Sequence, residues 1–165
     1  MNARLGALLV VLLLAADQAS KAAVDVFLPF QEPVTLLPFL SIFRTYNQGI
    51  AFSFFSGFSD RVLIGLTLAI MIFVIWLWRQ AHPSRIWARL GFALVFGGAL
   101  GNLCDRFVHG HVIDFVLFHV GNWSFAVFNL ADSFITIGAV LIAFDELLEL
   151  RRATGETETG ENTDE

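Results

Sequence analysis

Four uncharged apolar runs, Leu5–Ala16, Val62–Trp78, Leu90–Cys104 and Ser133–Phe144, constrain how this chain can fold. Crossing ~30 Å of bilayer hydrocarbon takes roughly 20 mostly apolar residues as helix. Three of the runs are too short unless an ionisable residue is admitted into the span. The apolar pattern persists around Asp17 and on both sides of Asp132, so these acids belong to membrane-embedded segments. Composition points the same way. The chain is 56% hydrophobic and 15% charged, with 18 phenylalanines against one tyrosine. A soluble domain of 165 residues could not hide that much apolar surface.

The pattern predicts an all-α membrane protein with four transmembrane helices near 5–26, 61–79, 87–107 and 127–148. Together they make a single integral membrane domain over residues 1–152. The first helix has a second reading as a cleaved signal peptide, with Arg4 ahead of an apolar core and "AAD". Against it, apolar residues continue through "AAVDVFL", and cleavage would leave an odd three-span protein. Arg4, Arg79, Arg85, Arg89, Arg151 and Arg152 fall on one side of this arrangement. Lys21, Arg44, Arg61 and Arg106 fall on the other. The bias places both termini in the cytoplasm.

Two segments then lie outside. In residues 28–60, Pro29, Pro33 and Pro38 break helix, "FLSIFRTYN" has strand composition and "NQG" reads as a turn. "IAFSFFSGF" is aromatic and uncharged, suited to an interfacial helical segment. Residues 108–126 read as short strands with a turn at Gly121–Asn122, so the outer face carries a small extracytoplasmic β-rich region. Residues 153–165 hold five acids, no base and no large apolar residue, and read as a disordered acidic cytoplasmic tail. The rest of the chain balances ten acids with ten bases, and no basic stripe suggests nucleic-acid binding. Cys104 is the single cysteine, which rules out an internal disulfide.

In this topology Asp17, Asp105, Asp114 and Asp132, far apart in sequence, reach the same outer depth. Ionisable residues in membranes are functional candidates by default, because an ionised acid at the bilayer centre costs ~2.5–3.5 kcal/mol on insertion scales. Asp17 and Lys21 have the i,i+4 spacing of an ordinary helix ion pair, and Asp105 can pair with Arg106. Asp114 and Asp132 differ, since neither has a base at i±3 or i±4. Two such carboxyls brought together cannot both ionise easily, so they share a proton and titrate as a unit. That arrangement suits an aspartic protease, in which one carboxylate activates water and its protonated partner polarises the carbonyl.

Other chemistries fit less well. His109, His111 and His119 with Asp114 could ligate a metal, but there is no H-E-x-x-H. Ser20 and Lys21 are adjacent on a helix and point apart. No cofactor is implied. Two further readings stay open: a proton-coupled small-solute transporter using the acids as a relay, and a noncatalytic membrane scaffold.

Four segments carry a family resemblance: "DQASK" (17–21), "NQGIAFS" (47–53), "GNLCDR" with "GHVIDF" (101–115), and "FNLADSFITIG" (128–138). In this order on a four-span chain they resemble the lipoprotein signal peptidases, the bacterial signal peptidase II enzymes. The resemblance implies a membrane aspartic endopeptidase of the bacterial inner membrane, with its site at the outer face. It would cleave diacylglyceryl-modified prolipoproteins just before the lipidated cysteine. By the same resemblance Asp114 and Asp132 are the catalytic pair. Asp17, Lys21, Asn47, Gly49, Asn102, Asp105, Arg106 and Asn129 bind substrate or order the site. The expected partners are the prolipoprotein and membrane lipid, with the enzyme acting as a monomer. The loop at residue 47 and the aromatic interfacial segment are expected to cover the substrate as a lid.

Overall fold

The computed structural model describes residues 1–48, 60–121 and 123–161. Gly49, the "IAFSFFSGF" segment and residues 162–165 lie outside the described residues, and with them the expected lid and interfacial helix. Helix α1 spans Ala3–Phe27. Asn2 caps it, its side-chain oxygen accepting the N–H of Leu5 at 2.9 Å. It stops at Leu28, which precedes Pro29 and is extended (ψ 142°). Two strands follow, β1 over Pro33–Leu37 and β2 over Leu40–Asn47. Helix α2 covers Asp60–Gln80 and helix α3 covers Ile86–His109. Gly110 ends α3 in the left-handed region (φ 73°), its N–H returning to the carbonyl of Arg106. Strand β3 (Val112–Val120), strand β4 (Trp123–Ser124) and helix α4 (Leu130–Glu161) complete the chain.

The strands form one antiparallel sheet in the order β1-β2-β3-β4. Strand β1 has no counterpart in the sequence reading, where its prolines suggested only helix breaking. Pro33 sits at the first residue of an edge strand, where a missing N–H disturbs no ladder. Between β2 and β3, Thr45 lies opposite Asp114 and Asn47 opposite Val112. Side chains alternate faces along a strand. Ile113 and Phe115 therefore turn together toward Val24 of α1, and Asp114 turns the other way.

Helix α3 is the hub, packing against α1, α2 and α4. Its glycines permit backbone-close contact. A Cβ at Gly91 would lie 2.6 Å from the carbonyl oxygen of Gly138 on α4, and one at Gly98 would collide with the carbonyl oxygen of Ala131. A Cβ at Gly97 would lie 3.0 Å from Leu13 of α1. The opposite faces of the helices are apolar and exposed, as at Leu8, Leu12, Ile72, Phe73 and Trp76. Helices α1, α2 (from Arg61) and α3 are long and apolar enough to cross a membrane.

Helix α4 begins at Leu130 rather than near 127. Phe128 is engaged in a bridge to Val116, and Asn129 serves as the cap. The side-chain oxygen of Asn129 accepts the N–H of Asp132 at 3.0 Å, while the Asp132 carboxylate accepts the N–H of Asn129 at 3.2 Å. This reciprocal capping box fixes the helix start three residues after the expected boundary. At the other end α4 continues past residue 148 to Glu161. Near the start of α3, Arg85 reaches Asp145 and Glu146 of α4 at 2.6 Å each.

Candidate active site

Asp17 and Lys21 stand one helical turn apart on α1 and face α3. The Lys21 ammonium lies 2.8 Å from Asp17, 2.8 Å from Asp105 and 2.9 Å from the side-chain oxygen of Asn102. None of the three charged residues is more than 2% exposed. Burying them is expensive unless the remaining hydrogen-bonding capacity is used. Here it is used: Asp105 also accepts the amide of Gln18 at 2.8 Å and the N–H of Ile113 at 3.3 Å. Asp17 accepts the N–H of Ala131, the second residue of α4, at 3.0 Å. One ion cluster thus pins α1, α3, the start of β3 and the start of α4.

The expected pairing of Asp105 with Arg106 does not form. Neighbouring helix residues point about 100° apart. Asp105 turns inward to Lys21, while Arg106 is partly exposed and donates to the carbonyl of Asn102 at 3.3 Å.

Two asparagines connect this cluster to Asp114 and Asp132. Lys21 can only donate, so it holds the Asn102 oxygen toward itself and leaves the Asn102 amide N–H for Asp132, at 2.7 Å. The N–H of Asp132 likewise holds the Asn129 oxygen. The Asn129 amide nitrogen is then aimed at Asp114, 2.6 Å away, and at Asn102, 3.1 Å away. Asn47 donates to the second Asp114 oxygen at 2.9 Å, a contact set by the β2–β3 register, which puts Asn47 diagonally across from Asp114. The structure therefore gathers Asp17, Lys21, Asn47, Asn102, Asp105, Asp114, Asn129 and Asp132 into one network, with Arg106 at its margin.

The two central acids differ in setting. Asp114 is 2% exposed, and burial, reinforced by the negative charge of Asp132, pushes its pKa from 3.8 up to about 7; the Asn47 and Asn129 amides oppose the rise. Asp132 occupies the first turn of α4, where its carboxylate accepts the N–H of Asn129. It also borders a cavity of about 860 Å³. Asn47, Ser133 and Thr136 share the wall with an aromatic set, Phe118, Trp123, Phe125 and Phe128.

Sequence reasoning missed Gln18 and this aromatic wall. Gln18 follows Asp17 in the chain, but nothing local shows that its amide crosses to Asp105. The wall is assembled from both arms of the β3–β4 turn, so no single run displays it. Two of the histidines are engaged elsewhere: His119 hydrogen-bonds Ser41 at 2.8 Å, and the His111 ring lies tilted against Tyr46 with ring centroids 4.0 Å apart. Among the described residues no group of three or more His, Cys, Asp or Glu side chains is placed to hold a metal ion.

Comparison with known proteins places this arrangement. Residues 9–148 match the model of a family described as signal peptidase (SPase) II. A protein of Mesorhizobium japonicum named lipoprotein signal peptidase is 56% identical over 146 residues, 88% of this chain and 87% of that one. One of the same name from Sinorhizobium fredii is 53% identical over 146 residues, 88% of each chain. Two solved structures described as bacterial membrane enzymes superpose with TM-scores of 0.81 and 0.79. They are 28% and 29% identical to this chain, covering 90% and 88% of it and 90% and 94% of their own lengths. By family match, identity and fold alike, this chain belongs to the signal peptidase II family, and is a protease.

Proposed function

We propose that the protein is an aspartic endopeptidase that removes the signal peptide from diacylglyceryl-modified prolipoproteins, cutting just before the lipidated cysteine. The observation that carries the reading is the bridging of Asp114 and Asp132 by Asn129 at the edge of a large cavity. Asn129 donates to one carboxyl and caps the helix that bears the other. Family membership and the name of the relatives supply the substrate class. They lend nothing to the transporter reading.

The two carboxyls divide the work. Asp114, with its pKa raised to about 7, still carries a proton in part of the population at neutral pH and in that form can donate it to the scissile carbonyl. Asp132 borders the cavity and accepts the N–H groups of Asn102 and Asn129, so it is placed to take a proton from the attacking water. Water adds to the carbonyl carbon. The C–N bond then breaks as a proton passes to the leaving nitrogen. Asn102, Asn129 and Asn47 orient the pair, and the Asp17–Lys21–Asp105 cluster fixes the frame. Arg106 and Gly49 act on the substrate side.

The same reading makes residues 1–152 one integral membrane domain, with α4 a fourth span despite Asp132, Asp145 and Glu146. Both termini lie in the cytoplasm, the site opens at the outer face of the inner membrane, and the enzyme works as a monomer beside membrane lipid. The test is cleavage of a diacylglyceryl-modified prolipoprotein by the purified protein in detergent. Asp114→Asn and Asp132→Asn run beside it, with thermal unfolding as a fold check. The native protein should give the shorter product and both variants none. Equal cleavage by a folded variant removes that residue from the mechanism.

A further inference from the structure

The chain leaving β4 does not simply continue the ladder. His119 pairs with Ser124 and Val120 with Trp123, and the N–H of Phe125 donates to the carbonyl of Phe118 at 2.8 Å. The next recorded pairing is Val116 with Phe128. Leu117 and Phe118 on β3 therefore face Phe125, Ala126 and Val127 on the returning chain. One residue is extra, which is the definition of a β-bulge. At this bulge the N–H and C=O groups of Ala126 and Val127 have no hydrogen-bond partner among the described residues.

Both residues line the cavity that Asp132 borders. The polar side chains around them are already committed. The Ser133 hydroxyl donates to the carbonyl of Asn129 at 3.1 Å, the Thr136 hydroxyl to that of Asp132 at 2.9 Å, and the Asn47 amide to Asp114. Uncommitted main-chain groups are strong hydrogen-bonding sites that need partners when water is excluded. An acyl chain has nothing to offer them, and a signal helix satisfies its own backbone. An extended peptide segment presents N–H and C=O groups at the spacing of a strand edge.

We propose that the bulged edge at Ala126–Val127 pairs with the extended main chain of the substrate beside the scissile bond, adding a short strand that delivers the carbonyl to Asp132. The inference rests on the peptidase reading above and adds to it the part of the enzyme that grips the backbone. It requires the signal helix to end before the cleavage point, so that the substrate is recognised there as unwound chain. Bulges often re-aim a strand next to an active site. Here Phe128, which closes the bulge, is followed directly by Asn129.

The experiment uses the native protein and synthetic lipidated substrates, each N-methylated at one backbone amide on the signal-peptide side of the cysteine. Cleavage of the unmodified substrate by the native protein but not by Asp132→Asn comes first, and failure there sinks the peptidase reading itself. With that established, strand pairing predicts an alternating pattern. Methylation should cost kcat/KM ~10-fold or more at a position facing the edge and little at its neighbour. A photoreactive side chain placed beside the sensitive position should label residues 125–128. Tolerance at every position, equal loss at every position, or labelling confined to α2 would each overturn the proposal.

Discussion

Asp17 on α1 accepts the main-chain N–H of Ala131 at the start of α4, 114 positions away, at 3.0 Å. The carboxylate that neutralises Lys21 thus also serves as a second cap for the helix carrying Asp132. Negative charge is favoured at a helix N-terminus, and an N–H buried without a partner is costly. The ion pair, the cap and the placement of Asp132 are therefore one construction.

Removing the cation should expose its cost. Lys21→Met leaves Asp17 and Asp105 buried without their shared ammonium. Losing one partner of such a cluster typically costs about 3–5 kcal/mol. Thermal unfolding in detergent should show a large drop in Tm, whereas Arg152→Met, which breaks only an exposed pair with Glu149, should leave Tm nearly unchanged.

Close helix contact gives a second expectation. In Gly98→Ala the added methyl meets the carbonyl of Ala131, a backbone atom that can move only by shifting the first turn of α4. A displacement of ~1 Å at a reacting group can cost about 100-fold. Cleavage should fall by that order. Gly65→Ala, with nothing within 4 Å of the new atom, should cleave normally.

Asn129 joins two roles that assays can separate. Asn129→Ala should lose about 0.5–2 kcal/mol of stability with the cap. It also removes the donor 2.6 Å from Asp114. The fall in kcat should therefore exceed what lost folded protein explains, and activity per folded molecule is the quantity to measure.

The pH dependence follows from Asp114. Its carboxyl holds a proton more tightly folded than unfolded, since the folded pKa is about 7 against an ordinary 3.8. Its contribution to stability is full below the unfolded value and is lost as pH rises through about 7. Cleavage that needs this proton should decline on the alkaline side of the same value. Asn47→Leu removes an amide that favours the ionised form, so the alkaline limb should move to higher pH. Asp132→Asn removes a repelling charge, so its stability-against-pH curve should show the Asp114 transition at lower pH. Unmoved curves would detach Asp114 from the limb.

The apolar runs made α1, α2 and α3 legible, because burial in lipid leaves long uncharged sequence. The acids stood out for the same reason. Arg106 misled because adjacency in sequence suggests a pair, while a helix sends neighbours to different faces. The apolar Val127 and Phe128 suggest an earlier start for α4, yet Phe128 is held by Val116 and the capping box begins at Asn129. Strand β1 and the bulge at Ala126–Val127 were invisible, since strand pairing depends on register with distant residues. Asn102 and Asn129 were marked by motif, but the direction of each amide comes from which neighbour can only donate.

The contact of Gly98 with the carbonyl of Ala131 has a consequence for how this molecule tolerates change. At Gly98 the first turn of α4 meets α3 through main chain, which has no rotamers to sample, as well as through the side chains that cap it. Substitutions among the outward residues such as Leu8, Ile72 and Phe73 alter what the bilayer touches without reaching that bearing surface. The lipid-facing shell is free to drift with the membrane it inhabits, while a narrow seam of glycine, alanine and asparagine holds the start of α4 against α3.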